Sequence, residues 1–238
     1  MKRLPISQSR AEQTYQILLD EICDGSMPAG TPLIQEELAA LLGVSRQPIQ
    51  QALARLKGDG LLEDAPGRGL CVPALNLSRM RSHYEIRSSL DRLAARLAAE
   101  RVADITLDAM VVNDTGWKII DAGTEAVAKE AVSDMIRLDI AFHSYIYTIS
   151  GNPLIATTAE SHWRFLRRVM GDVLRRAEPP ASIWQQHEAI LKAIVSGEAS
   201  HADHLAKHHI DNASEALINE LAKDNGLTID SPKVRTQG

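Results

Sequence analysis

The stretch EELAALLGVSRQPIQQALARLKGDGLL, residues 36–62, decides the fold. Leu38, Leu41 and Leu42 recur at helical spacing, and a turn follows at Gly43 with Val44 behind it. Ser45 is placed to cap a second helix by accepting a backbone N–H bond. Pro48 falls in that helix's first turn, where its missing donor does no harm. Ile49, Ala52, Leu53 and Leu56 stand at i, i+3, i+4 and i+7, one buried stripe. The opposite face carries Arg46, Gln47 and Gln50. Two short helices joined by a glycine turn, the second with an Arg/Gln face, describe a helix-turn-helix. The first residues of such a second helix point at base edges in the major groove.

The flanks argue against the plainer alternative, two helices of an ordinary bundle. Gly58 to Gly60 end the second helix, and Leu61–Asp64 and Leu70–Pro73 predict two short strands. They flank Ala65-Pro66-Gly67-Arg68-Gly69, a hairpin with an arginine at its tip, which reads as a wing. Upstream, residues 8–24 predict a helix with Tyr15, Leu18, Leu19 and Ile22 on one side, and Gly25 to Pro32 a Gly/Pro-rich turn. Residues 8–73 thus read as a winged helix-turn-helix.

The run GSMPAGTPLIQEELAALLGVSRQPIQQALARLKGDGLLEDAPGRGLCV closely resembles the DNA-binding domain of GntR-family transcription regulators. The family pattern is G-x-x-x-P-G-T-x-L, then L-A-x-x-L-G-V-S-R-T-P-V-R-x-A-L-x-R-L, then G-L and a glycine-rich wing. The resemblance implies phosphate or base contacts by Arg46, Arg55 and Arg68, beside Gln47 and Gln50 on the same helix. Gln50 stands where the family usually has arginine; glutamine reads adenine.

The 238 residues, 45% apolar and 24% charged, describe an ordinary globular chain. No apolar run approaches the roughly 20 residues that span a bilayer. The opening MKRLPISQSRAEQ lacks the apolar core of a signal peptide. Cys23 and Cys71 are too few for a disulfide framework, so a reduced cytoplasm is expected. The net charge of −5 argues against indiscriminate nucleic-acid binding. It leaves room for a specific binder, because residues 44–58 hold Arg46, Arg55 and Lys57 and no acid.

Beyond a short linker, the sequence has helical period throughout. Six helices are predicted near 77–103, 105–128, 130–149, 153–177, 181–196 and 198–223, with irregularity over 112–124 around Asn113, Gly116 and Gly123. The expected architecture is mainly α: a winged helix-turn-helix with a small hairpin over residues 1–73, a linker over 74–78, an antiparallel helical bundle over 79–225 and a tail over 226–238. The segments YEIRSSLDRLAARLAAERV, RLDIAFHSYIYTISGNPLI and HEAILKAIVSGEASHADHLAKHHI resemble the FCD effector-binding domain of the FadR branch of the same family.

Within that bundle, Asp139 and His143 lie one turn apart on a face built from Val132, Met135, Ile136, Ile140, Phe142 and Ile146. His187 lies among Ile183, Ile190, Leu191 and Ile194, and His209 within the stripe Ala202, Ala206, Ala213, Leu217 and Leu221. His201, His204 and His208 fall on the polar side. Each inward residue alone reads as a satisfied core polar group. Together, one carboxylate and three imidazoles suit a divalent ion such as zinc or nickel. In the FCD domains that the chain resembles, Asp139, His143, His187 and His209 match the metal-ligand positions. Arg87 also faces inward, between Met80, Tyr84, Leu90 and Ala94; it reads either as an ion pair to Asp91 or Asp139 or as a clamp for an acidic ligand. The resemblance favours the clamp, since effectors there are often small organic acids near the metal. Arg164, Arg167 and Arg168 predict a solvated or interface face.

The expected function is a ligand-responsive transcription regulator, a repressor, that binds operator DNA as a homodimer and a small carboxylate at its metal. The competing reading is a metal-dependent hydrolase or lyase using the Asp/His site to activate water. A third is a purely structural DNA-binding protein with a metal-stapled second domain.

Overall fold

The computed structural model describes residues 9–65, 67, 69–174 and 182–224. The expected wing-tip contact Arg68 and the expected tail over 226–238 lie outside the described residues. The chain divides into two compact units.

The first unit comprises residues 1–75 together with 158–172. Helix α1 (Arg10–Cys23) starts at Ser9, whose hydroxyl accepts from the Glu12 N–H at 3.2 Å. It packs on α3 (Arg46–Gly58), with α2 (Gln35–Leu42) beside it. Tyr15, Leu18, Leu19 and Ile22 bury against Ile49, Ala52, Leu53 and Leu56, as their spacing requires. Gly43 makes the turn between α2 and α3 in the left-handed region at φ 62°, where a side chain would be strained. Three two-residue strands, β1 (Pro32–Leu33), β2 (Glu63–Asp64) and β3 (Leu70–Cys71), form an antiparallel sheet in the order β1-β3-β2. The expected hairpin is therefore joined by a third strand drawn from the Gly/Pro-rich stretch.

One local expectation is refined and one corrected. Of the leucines that recur at helical spacing on α2, Leu38 turns inward while Leu41 is 78% exposed, so the spacing alone does not put all three on the buried side. Ser45 occupies the N-cap position of α3 but its side chain makes no capping bond. A cap bonds the N–H of the second or third helical residue, and the third here is Pro48, which has none.

The second unit, residues 76–157 and 173–238, contains α4 (Leu77–Ala103), α5 (Ala109–Ala128), α6 (Val132–Ile149), α8 (Ser182–Val195) and α9 (Ala199–Asp224). Helix α7 (Pro153–Leu174) begins in this unit and continues into the first. Asn76 caps α4 by accepting from the Arg79 N–H at 2.9 Å, which fixes the helix start. Asp108 caps α5 in the same way, so that helix starts later than expected. Helix α4 lies along α9, α8 bridges α9 and α5, and α6 packs on α5 and α4. Helix α5 is unbroken at Gly116 and Gly123. Both are notches for α8: a Cβ would lie 2.5 Å from Leu191 and 2.1 Å from the Trp184 ring. Among the described residues no helix is long and apolar enough to cross a membrane.

Candidate metal centre and nucleic-acid interface

The face of α3 that sequence assigns to DNA is exposed at Arg46, Gln47, Gln50 and Arg55. Its positive charge is compensated in space, although residues 44–58 hold no acid. Arg46 pairs with Glu36 at 2.5 Å, Arg55 with Glu12 at 2.6 Å and Lys57 with Asp64 at 2.7 Å. Arg55 also lies over the Tyr15 ring, 3.8 Å from its centroid, and the Tyr15 hydroxyl donates to Asp59 at 2.7 Å. These exposed pairs each hold little energy, so phosphate can exchange for carboxylate at little cost.

Of the two expectations for the α7 arginines, a solvated or an interface face, the structure shows the second, a face packed within the first unit. Within the first unit Arg164 pairs with Asp59 at 3.1 Å and Arg167 with Asp20 at 2.8 Å. Arg168 is buried and donates to the Pro73 carbonyl. Acids on α1 and at the end of α3 attract Arg164 and Arg167, a partnership that local charge counting does not show.

The second unit brings Asp139, His143, His187 and His209 together. All four are buried, and one ligand atom from each lies within 4.8 Å of the others. His187 Nε2 is 3.1 Å from His209 Nε2 and 3.4 Å from Asp139 Oδ1. His209 Nε2 is 3.3 Å from His143 Nε2, which is 3.8 Å from Asp139 Oδ1. Two rings are oriented from behind. His143 Nδ1 meets Asp91 Oδ1 at 2.8 Å, and His209 Nδ1 meets Gln186 Oε1 at 2.9 Å. Since carboxylate and amide oxygens only accept, those Nδ1 atoms carry the hydrogens and the Nε2 lone pairs face the centre. His187 is held by ring contacts instead, stacked on Phe142 at 4.2 Å and meeting Trp184 edge-on at 4.8 Å.

Converging acceptors in a buried space repel unless a cation lies among them. Burial, reinforced by the neighbouring imidazoles, holds the proton affinities of His187 and His209 well below the ordinary value, so protons are poor candidates. A divalent ion about 2.0–2.1 Å from each nitrogen would set neighbouring ligand atoms about 3.0–3.4 Å apart. Three of the four separations given above fall in that range, so the donor set fits such an ion. His201, His204 and His208 are exposed on the far side of α9.

Arg87 is buried between two of the site's carboxylates, with Nε 3.3 Å from Asp91 Oδ2 and Nη2 3.6 Å from Asp139 Oδ2. Both pairings anticipated for it as an ion pair are present. Burial pushes the Asp91 carboxyl upward, but His143 and Arg87 outweigh it and hold Asp91 below the usual carboxylate range. Sequence reasoning named Asp91 only as a partner of Arg87 and missed it, with Gln186, as an orienter of the imidazoles.

Residues 82–212, more than half of the chain, match the FCD domain, and residues 10–72 match the "Bacterial regulatory proteins, gntR family". The chain is 25% identical over 214 residues to the HTH-type transcriptional repressor RspR of Escherichia coli (strain K12), covering 90% of this chain and 91% of that one. It is 26% identical over 219 residues to the probable D-xylose utilization operon transcriptional repressor of Paenarthrobacter nicotinovorans, covering 91% and 90%. In fold it is similar to E. coli McbR/YncC, with a TM-score of 0.74 at 21% identity over 90% of this chain and 100% of that one. A putative transcriptional regulator GntR from Rhodococcus sp. RHA1 gives a TM-score of 0.73 at 24% identity, over 89% and 99%. With its winged helix-turn-helix and FCD domain, the chain belongs to the gntR family of bacterial regulatory proteins and is a transcription regulator rather than a hydrolase or lyase.

Proposed function

We propose that this regulator is a metabolite-responsive repressor whose second domain, residues 79–225, holds a divalent ion and a small organic acid. Asp139, His143, His187 and His209 are its metal ligands. The acid occupies the remaining coordination positions, with Arg87 as the nearby cation. Residues 1–73 bind operator DNA through Arg46, Gln47, Gln50 and Arg55 on α3 and Arg68 at the wing. A single winged helix contacts few bases, so two copies act together on a two-fold operator. The observation that carries the metal reading is the convergence of three imidazole Nε2 atoms and Asp139 Oδ1 in a buried space. Neutral imidazoles with one carboxylate suit zinc or nickel.

The test uses adjacent residues of α9. Metal analysis of the purified chain should find one divalent ion per copy, lost in His209→Ala and kept in His208→Ala. His208 is exposed and hydrogen-bonds Asn212 at 3.1 Å, away from the centre. Metal retained by both variants would remove the proposed site. Gel shifts on the native operator, with and without added organic acids, then test whether the loaded form responds.

A further inference from the structure

Charge around the centre limits what ligand it accepts, a step that rests on the metal reading above. Among the described residues of the second unit, the buried side chains with a full charge are Arg87, Asp91 and Asp139. Arg87 lies between the two carboxylates, so one positive and two negative charges leave a net of minus one. The three imidazoles coordinate as neutral rings. Tyr84, beside Arg87, keeps its proton at neutral pH, because burial pushes its phenol up to about 12. A divalent ion brings the cluster to plus one.

This residual charge lies where solvent screens poorly. His143, His187 and His209 are 2%, 0% and 1% exposed, and Asp91 and Asp139 are 3% and 7%. Phe142 and Trp184 shield the His187 side. A buried net charge is costly until a counter-charge reaches it. A neutral ligand leaves the plus one in place, and a doubly charged one overshoots to minus one. We infer that Arg87, Asp91 and Asp139 together set the metal centre to select a singly charged anion, a small monocarboxylate, over related neutral and dianionic compounds.

Asp91 makes the inference testable without removing a metal ligand. Its Oδ1 accepts from His143, a role that the asparagine oxygen keeps, while Asp91→Asn removes one negative charge. The metal-loaded full chain is titrated in a calorimeter with lactate, lactamide and malate, related probes of charge minus one, zero and minus two. Lactate should bind at least about tenfold more tightly than either of the others. In Asp91→Asn, with metal content verified, the preference should move toward malate. Wild-type chain that takes malate as tightly as lactate, or a metal-loaded Asp91→Asn with unchanged preference, overturns the charge selection and leaves the organic-acid reading standing. Binding of none of the three to the loaded chain overturns both. Where Asp91→Asn fails to fold or to load, the wild-type series decides.

Discussion

Gly123 has the tightest of the glycine contacts and lies behind the candidate metal centre, and Gly123→Ala measures that packing. A Cβ there would lie 2.1 Å from two atoms of the Trp184 ring and 2.4 Å from a third. Carbon atoms rest about 3.5–4.0 Å apart, so the indole must retreat by more than an ångström. Trp184 is 6% exposed and rigid, and therefore has little room to do so. Overpacking of this kind costs about 1–3 kcal/mol, and a 2.1 Å overlap belongs at the upper end. The helix gains back about 1 kcal/mol from replacing glycine by alanine. The net loss of about 2 kcal/mol corresponds to a fall in Tm of about 4–8 °C in a domain of this size. The functional readout follows from the ring contact. Trp184 meets His187 edge-on at 4.8 Å, so displacing it misaligns a proposed ligand. Loss of such a supporting contact weakens metal binding about 10–100-fold. Thermal unfolding of the metal-free chain and competition with a chelator measure the two effects separately. Gly58→Ala is the control, since nothing lies within 4 Å of its added Cβ and the change should be neutral or slightly stabilising. A Gly123→Ala variant with wild-type Tm and wild-type metal affinity would refute the account of how α5 meets α8.

Two further outcomes are expected. Gln50→Arg adds a cation to the exposed face of α3, and should tighten operator binding and steepen the salt dependence by about 0.9 per new phosphate contact, read from gel shifts across a salt series; an unchanged slope and affinity would mean that residue 50 does not face DNA. Metal-free protein should lose stability as pH falls below about 6.5, because His187 and His209 take up protons more readily unfolded than folded. Their contribution is full above the unfolded value and disappears as pH drops toward the depressed folded values. Denaturant melts across pH measure it, and the double variant His187→Leu/His209→Leu should flatten the curve between about pH 6.5 and 5.

What was legible in the sequence follows from helical phase. The stripe of α3 and the choice of His209 over His208 both rest on which side of one helix a residue occupies, and local sequence contains that information. The strand β1 was not legible. Two residues paired as Pro32 with Cys71 and Leu33 with Leu70 offer no alternation to detect, and their partner lies far along the chain. Gly116 and Gly123 look like helix breakers because their purpose, space for Leu191 and Trp184, is written in another helix. The same holds for Arg164, whose partner Asp59 ends α3.

The imidazole orienters show where phase reasoning stops. The four converging residues were legible because a polar residue on an apolar face is conspicuous in one helix. Gln186 has no such signature, and Gln185 next to it is chemically identical. Only the position of α9 relative to α8 decides that residue 186 reaches His209 Nδ1. Asp91 on α4 likewise acquires its role from His143 on α6. The centre thus draws on α4, α6, α8 and α9, with each ring nitrogen facing inward only because a neighbouring helix occupies or shields the back of the ring. An ion held there would bind the assembled helices and not the separate ones. Its binding energy would therefore add to the stability of the second unit as a whole. The part of the site hardest to read from sequence is also the part that couples occupancy to the arrangement of the helices.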